Sequence, residues 1–597
     1  MSTHRWMDRI CVVVIVLSLI VTILFMNGEK LGIQRIADMD AEGYAGSEYF
    51  TENDLNGSWD PSEGVKITLC GDSAKISGNG AYWLDGSLVI AQSGQYVISG
   101  ELTDGNIVVD AARNSKVWIM LSGVTLHCGD DACIRIDQAD KVFLTLADGS
   151  ENSLTGGDAF TENAPADGTD AIIFSHDDLT INGNGSLSIV SSALNGITSK
   201  DDLIITGGTV SVTVSGHGLR VNDHFRMTSA NLTVSAGQDG IHAEGAVVIQ
   251  DGNLTITAGD DAVHSDASVL ILGGIILVND CYEGIEALTI EISGGDTTIH
   301  SRDDSLNANG YTGVKWGGMP SPGKDPPAAE AAVPAENSAS PEASSEEAFP
   351  PAFPGGGRSG EPPAFPDADR TGEPPAFPDA DRTGEPPARE DMGSPPPFGE
   401  GSGPEQENRS DPAEEKTVVS VEDTWILISG GRLTLLNESG TDADGIDSNG
   451  NITITGGTVL VSLAGNSGNS ALDCGSESGG IAAISGGTVI ACGDSSMAEG
   501  FGSESAQASI LYSLREAAAA GSTVTLLDAE GKEIISATIP YGFSSVVISC
   551  PDLAVGQTCT LRIGETEEAI EITSVSVTAG EASRAGTAPG GFMPGSP

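Results

Sequence analysis

Aromatic residues make up only 5% of this 597-residue chain, and its 27 basic residues face 85 acidic ones. A chain this long exceeds one compact core, and so few aromatics argue against several large globular ones. The net charge of −58 removes the basic surface that phosphate binding needs, so nucleic acid is not expected as a partner. Nine cysteines are too few for a disulfide framework. Cys128/Cys133, Cys474/Cys492 and Cys550/Cys559 are close in sequence, but buried, unpaired thiols are the simpler expectation. The sequence holds no GxSxG, P-loop or HExxH motif, so no catalytic residue is assigned.

Long apolar runs are absent but for one. Ile10–Met26 is nearly unbroken over 17 residues, close to the shortest helix that spans a bilayer. Arg5 and Arg9 precede it, which keeps the N-terminus in the cytoplasm. No A-x-A-like cleavage site follows. A single-pass anchor in the cell membrane is expected, with the bulk of the chain outside the cell.

What is abundant is glycine, 78 residues, set among short Val/Ile/Thr runs. That is the mark of many short strands joined by tight turns. A polar, a small and an aliphatic residue recur together at Asp170-Ala-Ile, Asn195-Gly-Ile, His217-Gly-Leu, Asp239-Gly-Ile, Asp261-Ala-Val, Glu283-Gly-Ile and Asp304-Ser-Leu. The intervals are 25, 22, 22, 22, 22 and 21 residues. A fixed period of this size predicts a stacked solenoid. With no helix in the unit, the expected fold is all-β: a right-handed parallel β-helix with two short strands and two corners per coil.

Strands begin at Val65, and 28–64 reads as a linker or stalk. The stretch from 65 to 165 suits either a sandwich or irregular first coils. Residues 319–416 hold 22 of the 29 prolines and a 12-residue tandem, GEPPAFPDADRT, at 360–371 and 372–383. Such a segment cannot join sheet ladders and is expected to be a disordered insertion over 311–422. The strand pattern of 288–299 returns at 424–436, so the last coils span 423–500. Residues 505–520 read as a helix with Ile510, Leu511 and Leu514 on one face, opening a helix-and-strand cap over 501–576. Residues 577–597 read as a disordered tail, and 1–27 as the cytoplasmic tip and anchor.

Equivalent residues of stacked coils lie about 4.8 Å apart. The anchor positions therefore form a column, thickened by neighbouring acids. Turn-making explains single Asp and Asn residues, but doubled acids repel and suit a bound Ca²⁺. The candidate ligands are Asp177, Asp178, Asp201, Asp202, Asp239, Asp260, Asp261, Asp303, Asp304, Asp442, Asp444 and Asp447. A second column, three residues on, holds Thr198, Arg220, His242, His264, Glu286 and Asn307. Arg220, His242, His264 and Glu286 are the candidate carbohydrate-binding residues, against the alternative of a plain solvated face. A zinc site on His242 and His264 lacks a clear third ligand.

The segments VKITLCGDSAKISG, SGQYVISGELTDGNIVVDA, KVFLTLADGSENSLTGG, the DAI/NGI/DGI turns and ASILYSLREAAAAGSTVTLLDAEGKEI carry a resemblance. Together they resemble the bacterial carbohydrate-binding β-helix family typified by the Clostridium thermocellum cellulose- and pectin-binding protein. The resemblance covers about 65–310 and 417–575. It implies a pectate-lyase-like fold, calcium between coils, and binding of cellulose or acidic sugars without cleavage. His217 and Glu283 depart from the usual Asp or Asn of the turn. A membrane-anchored polysaccharide-binding protein is thus the leading expectation. A lyase acting on uronate polymers, with Arg220 as base, and a structural adhesin are the alternatives.

Overall fold

A computed structural model describes residues 49–157, 168–309, 423–438, 443–464, 470–476 and 479–581. Strands dominate it, and 38 of them join one sheet whose pairings are mostly parallel. From residue 171 each strand pairs with the one three places later in the chain, except where two short strands merge into one, as in Val263–Ile271 and Ile285–Ile292, and the step becomes two. This is a β-solenoid-like coil with three strands per turn, not the two expected. The third is short and therefore hidden in the sequence: 219–221, 225–227 and 231–236 make up one turn.

The inward residues stack coil on coil. Ile173, Ile197, Leu219, Ile241, Val263, Ile285, Leu306, Ile446 and Leu472 form one such ladder and are all buried. One continuous core joins Ile67 to Val489 and beyond. The small residue of the repeated turn has a steric cause. A Cβ added at Gly240 would stand 2.6 Å from both the Ala262 carbonyl oxygen and Ile256 Cγ2. The glycine-pair corners answer a different need. Gly295, Gly431, Gly457 and Gly487 take φ between +74° and +90°, where side chains are strained.

Residues 65–128 form the first coils, with Val65–Gly71, Gly94–Leu102 and Lys116–Cys128 paired in parallel; no sandwich is present. The repeat resumes in register after the Pro-rich segment: Thr289 faces Trp425 and Leu306 faces Ile446. The segment 311–422 itself lies outside the described residues, as do the tail beyond 581 and the anchor Ile10–Met26. Among the described residues no helix is long and apolar enough to cross a membrane. The eight described cysteines are all free, and seven are buried.

Two expectations are corrected. Residues Ser509–Ala518 are a strand, not a helix, paired antiparallel with Phe543–Ser549 and parallel with Ser576–Gly580. Ile510, Tyr512 and Leu514 are buried, a period of two, and the open sheet edges offer partners that outweigh helix propensity. The cap is thus wholly β. Phe543–Ser549 also pairs antiparallel with Thr488–Gly493 and closes that edge of the last coil. A separate four-stranded antiparallel sheet completes the cap.

The supposed stalk is ordered from Tyr49 onward. It is a strap on the outer face of the solenoid. Tyr49 and Phe50 cover Ile204, Val248 and Leu270, outward residues on the second strands of their coils. The short helix Glu52–Leu55 follows, started by a capping box between Thr51 and Asp54. Asp54 is 1% exposed and accepts from Thr180 Oγ1 at 2.6 Å, with Lys141 Nζ at 2.9 Å. Trp59 Nε1 donates to Thr145 Oγ1 at 3.1 Å.

Burial would raise the Asp54 carboxyl, but the hydrogen bonds from Thr180 and Thr51 and the charge of Lys141 outweigh it and hold it below the usual range. A carboxyl held low stabilises fully above its unfolded value, about 3.9, and less as pH falls through the folded one. The strap is therefore expected to stay docked at neutral pH and loosen below about pH 4. Asp54→Ala, which leaves the buried Lys141 only the more distant Asp178 at 3.7 Å, is expected to cost on the order of 3 kcal/mol of docking. Hydrogen exchange and limited proteolysis at 49–59 measure both effects.

Candidate functional site

The acidic turns first serve the fold. A side-chain oxygen of one coil accepts the backbone N–H of the next. Asn195 Oδ1 accepts from His217 N at 2.9 Å, Asp239 Oδ1 from Asp261 N at 3.2 Å and Asp304 Oδ1 from Asp444 N at 2.6 Å. Asp444 Oδ1 accepts from Ser470 N in the same way. A second ladder runs one turn later: Asp178 accepts from Asp202 N, Asp202 from His224 N, and His224 Nδ1 from Ala246 N. Asp177 accepts from Ala139 N at 2.8 Å. The register pairs Ala171 with Asn195, so Asp170 sits one residue ahead of the anchor column.

The second column is confirmed as one row. Thr198, Arg220, His242, His264, Glu286, Asn307, Asp447 and Asp473 face one another on successive coils. The middle of the row is partly exposed, from 37% for the Arg220 side chain to 16% for Glu286. Arg220 Nη1 lies 3.3 Å from Asp170 Oδ2, a carboxylate two coils back.

Three histidines and five acids meet in the centre. Asp239 Oδ2 stands 3.2 Å from His217 Nδ1 and 2.8 Å from His242 Nδ1. His264 Nδ1 stands 3.1 Å from Asp261 Oδ2 and 2.9 Å from Glu286 Oε2, and its Nε2 is 3.2 Å from Asp266 Oδ1. The His242 and His264 rings stack at 4.8 Å. Asn307 donates to Glu283 at 3.0 Å.

The charges follow from these contacts. Burial would lower the His264 imidazole, but Asp261 and Glu286 push it up to about 11, so it is a cation at neutral pH. Burial would raise Asp239, yet the imidazoles of His217 and His242 beside its Oδ2 hold it well below the usual carboxylate range. Asp261 goes the other way, to about 8: burial, with Glu283, Asp239 and Glu286 nearby, outweighs its bond to His264. Asp304 is pushed up to about 9 by burial and then by Asp447, Asp444 and Asp303.

A Ca²⁺ ion requires several oxygen donors. The carboxylates of Asp201, Asp202 and Asp223 converge within 4.8 Å, and so do those of Asp239, Asp260 and Asp261. Burial, then Asp178 and Asp223, push Asp201 up to about 6. Asp261 Oδ1 is buried with no hydrogen-bond partner. Both clusters fit a hard cation. Asp303, Asp444 and Asp447 gather around the half-buried Asp304, while Asp442 lies outside the described residues. Asp178 lies 3.7 Å from Lys141 and, with Asp177, is occupied by the fold.

His217 and Asp223 are the residues that sequence reasoning passed over as ligands. His217 looked like a departure from the turn pattern. Two offsets, 22 between coils and three within a coil, link it to Asp239 and His242 and were the available signal.

Residues 84–322 match the family model of carbohydrate-binding domain-containing proteins. A carbohydrate-binding domain-containing protein of Acetivibrio thermocellus is 40% identical over 124 residues, 21% of this chain and 43% of that one. The chain thus spans less than half the length of this curated relative. A solved structure described as the polysaccharide lyase-like protein from C. thermocellum, gadolinium derivative, is 32% identical. The match covers 39% of this chain and 93% of that one, with a TM-score of 0.34.

Removing the central imidazolium leaves Asp261, Glu286 and Asp266 facing one another. His264→Gln is expected to destabilise the protein by roughly 2–3 kcal/mol, measured by denaturant unfolding at pH 7. A raised histidine stabilises fully below its unfolded value and loses that stabilisation as pH rises through the folded one. The gap between wild type and variant is therefore expected to persist at pH 9 and close only near the folded value of about 11.

Proposed function

Since residues 84–322 of the chain match the model of the carbohydrate-binding domain-containing family, we propose that it is a membrane-anchored extracellular protein that binds cellulose or an acidic, pectin-like polysaccharide without cleaving it. The single observation that carries this reading is the register of the row: Arg220, His242, His264, Glu286 and Asn307 face one another on five successive coils. A straight line of hydrogen-bonding groups spaced by about 4.8 Å matches an extended sugar chain, whose units repeat on a similar scale. Arg220, the most exposed side chain of the row's middle, supplies the positive charge that a uronate carboxylate needs within a chain of net charge −58.

Binding without cleavage is supported by the pairing of Arg220 with Asp170, which keeps the guanidinium from acting as a base. The anchor rests on the apolar run Ile10–Met26 behind Arg5 and Arg9. A right-handed coil belongs to the same reading, since that sense dominates parallel crossovers. Ca²⁺ is assigned to Asp201/Asp202/Asp223 and Asp239/Asp260/Asp261, where it would neutralise crowded carboxylates and tie neighbouring coils.

The test is retention of the detergent-solubilised full chain on insoluble cellulose and on pectate gel, with and without chelator. Retention on at least one glycan is expected, and Arg220→Ala is expected to weaken pectate binding about tenfold, the worth of one charged hydrogen bond. Chelation is expected to lower the melting temperature. No retention on either glycan refutes the binding reading, an unchanged melt refutes Ca²⁺, and ultraviolet-absorbing unsaturated products refute the absence of cleavage.

A further inference from the structure

One cluster on the row has a donor set that calcium does not prefer. His217 lies in the turn before Leu219–Val221, and His242 lies on Ile241–Ala243 of the next coil, with Asp239 in the turn between them. Both Nδ1 atoms approach the same oxygen, Asp239 Oδ2, at 3.2 and 2.8 Å. The three donor atoms lie within 4.8 Å of one another. In a tetrahedral site with bonds of about 2.0–2.1 Å, neighbouring ligand atoms are roughly 3.3 Å apart. Two edges of such a tetrahedron are therefore present to within about half an ångström.

Three further observations distinguish this cluster from an ordinary imidazole–carboxylate pair. His217 Nδ1 is buried and makes no hydrogen bond despite its nearness to Asp239, so its in-plane direction points elsewhere in the shared space. The His217 and His242 rings are tilted by 45° at 5.0 Å, whereas His242 and His264 stack at 5°. The other oxygen of Asp239 is tied to Asp261 N at 3.2 Å, which fixes the carboxylate from behind as second-layer contacts do in metal sites. His264 belongs to a separate cluster, with Asp261 and Glu286 at its Nδ1 and Asp266 at its Nε2.

We propose that His217, Asp239 and His242 form a site for a divalent transition ion of the Zn²⁺ type, with a fourth position left to water. Imidazole nitrogen selects Zn²⁺, Ni²⁺ or Cu²⁺ over Ca²⁺, so this site differs in donor set from the all-oxygen cluster Asp239/Asp260/Asp261, with which it shares the Asp239 carboxylate. It does not depend on the glycan reading, because its ligands come from the chain alone.

The test uses the full chain in detergent, stripped with a chelator and freed of it. Zn²⁺ is titrated calorimetrically in the presence of excess Ca²⁺, and Co²⁺ is added as a spectroscopic probe. One equivalent of Zn²⁺ is expected to bind, and Co²⁺ is expected to give the intense visible absorption of a tetrahedral site, bleached by Zn²⁺. His217→Gln and His242→Gln are each expected to weaken Zn²⁺ binding on the order of a hundredfold, while His264→Gln leaves it within a few-fold. Melting of the metal-free variants checks that they fold. The proposal is overturned by no stoichiometric Zn²⁺ uptake, by uptake that both glutamine variants retain, or by a weak octahedral Co²⁺ spectrum. This last outcome is read on the unmutated chain and needs no variant.

Discussion

Each coil of this protein lies directly on the next, held by parallel backbone hydrogen bonds about 4.8 Å apart. This forces every side chain to live beside its own equivalent in the neighbouring coil. Apolar ladders such as Leu219, Ile241 and Val263 profit from it, because like packs on like without a gap. Acidic ladders do not, and the architecture is arranged around that difference.

The turns answer the problem in two ways. Asn195, Asp239, Asp304 and Asp444 each turn an oxygen onto the next coil's backbone N–H. A repeated acid thus becomes part of the fold. Where a second acid or an extra turn oxygen remains, as at Asp201 and Asp261, burial and repulsion raise the carboxyl instead. Those are the positions where a cation would relieve most. In the centre of the row the protein supplies its own positive charge, placing His264 among three carboxylates.

Closure completes the solenoid. A coil cannot be stable alone, and an open last coil invites pairing with another chain. The β cap pairs with the edge strand Thr488–Gly493, and the Tyr49–Trp59 strap covers the apolar outward residues Ile204, Val248 and Leu270. The first of these protects backbone and the second protects side chains.

The period, the inward ladders, the resumption of the coil after the Pro-rich segment and the row from Thr198 to Asn307 were all legible in the sequence. They depend on spacing alone, and stacking converts spacing directly into contact. The third strand of each coil was not legible, because three residues such as 219–221, which read as part of a turn, carry no period. Nor was the strand at 509–518, whose composition favours helix until Phe543–Ser549 and Ser576–Gly580 offer edges to pair with. The strap was hidden for the same reason: Asp54 reads as a surface acid until Lys141 and Thr180, far along the chain, surround it. His217 reads as a flaw in a turn until the coil above turns Asp239 and His242 toward it. The sequence by itself determined what repeats. The tertiary structure decided what each non-repeating residue meets, because those contacts depend on which distant segment is folded against it.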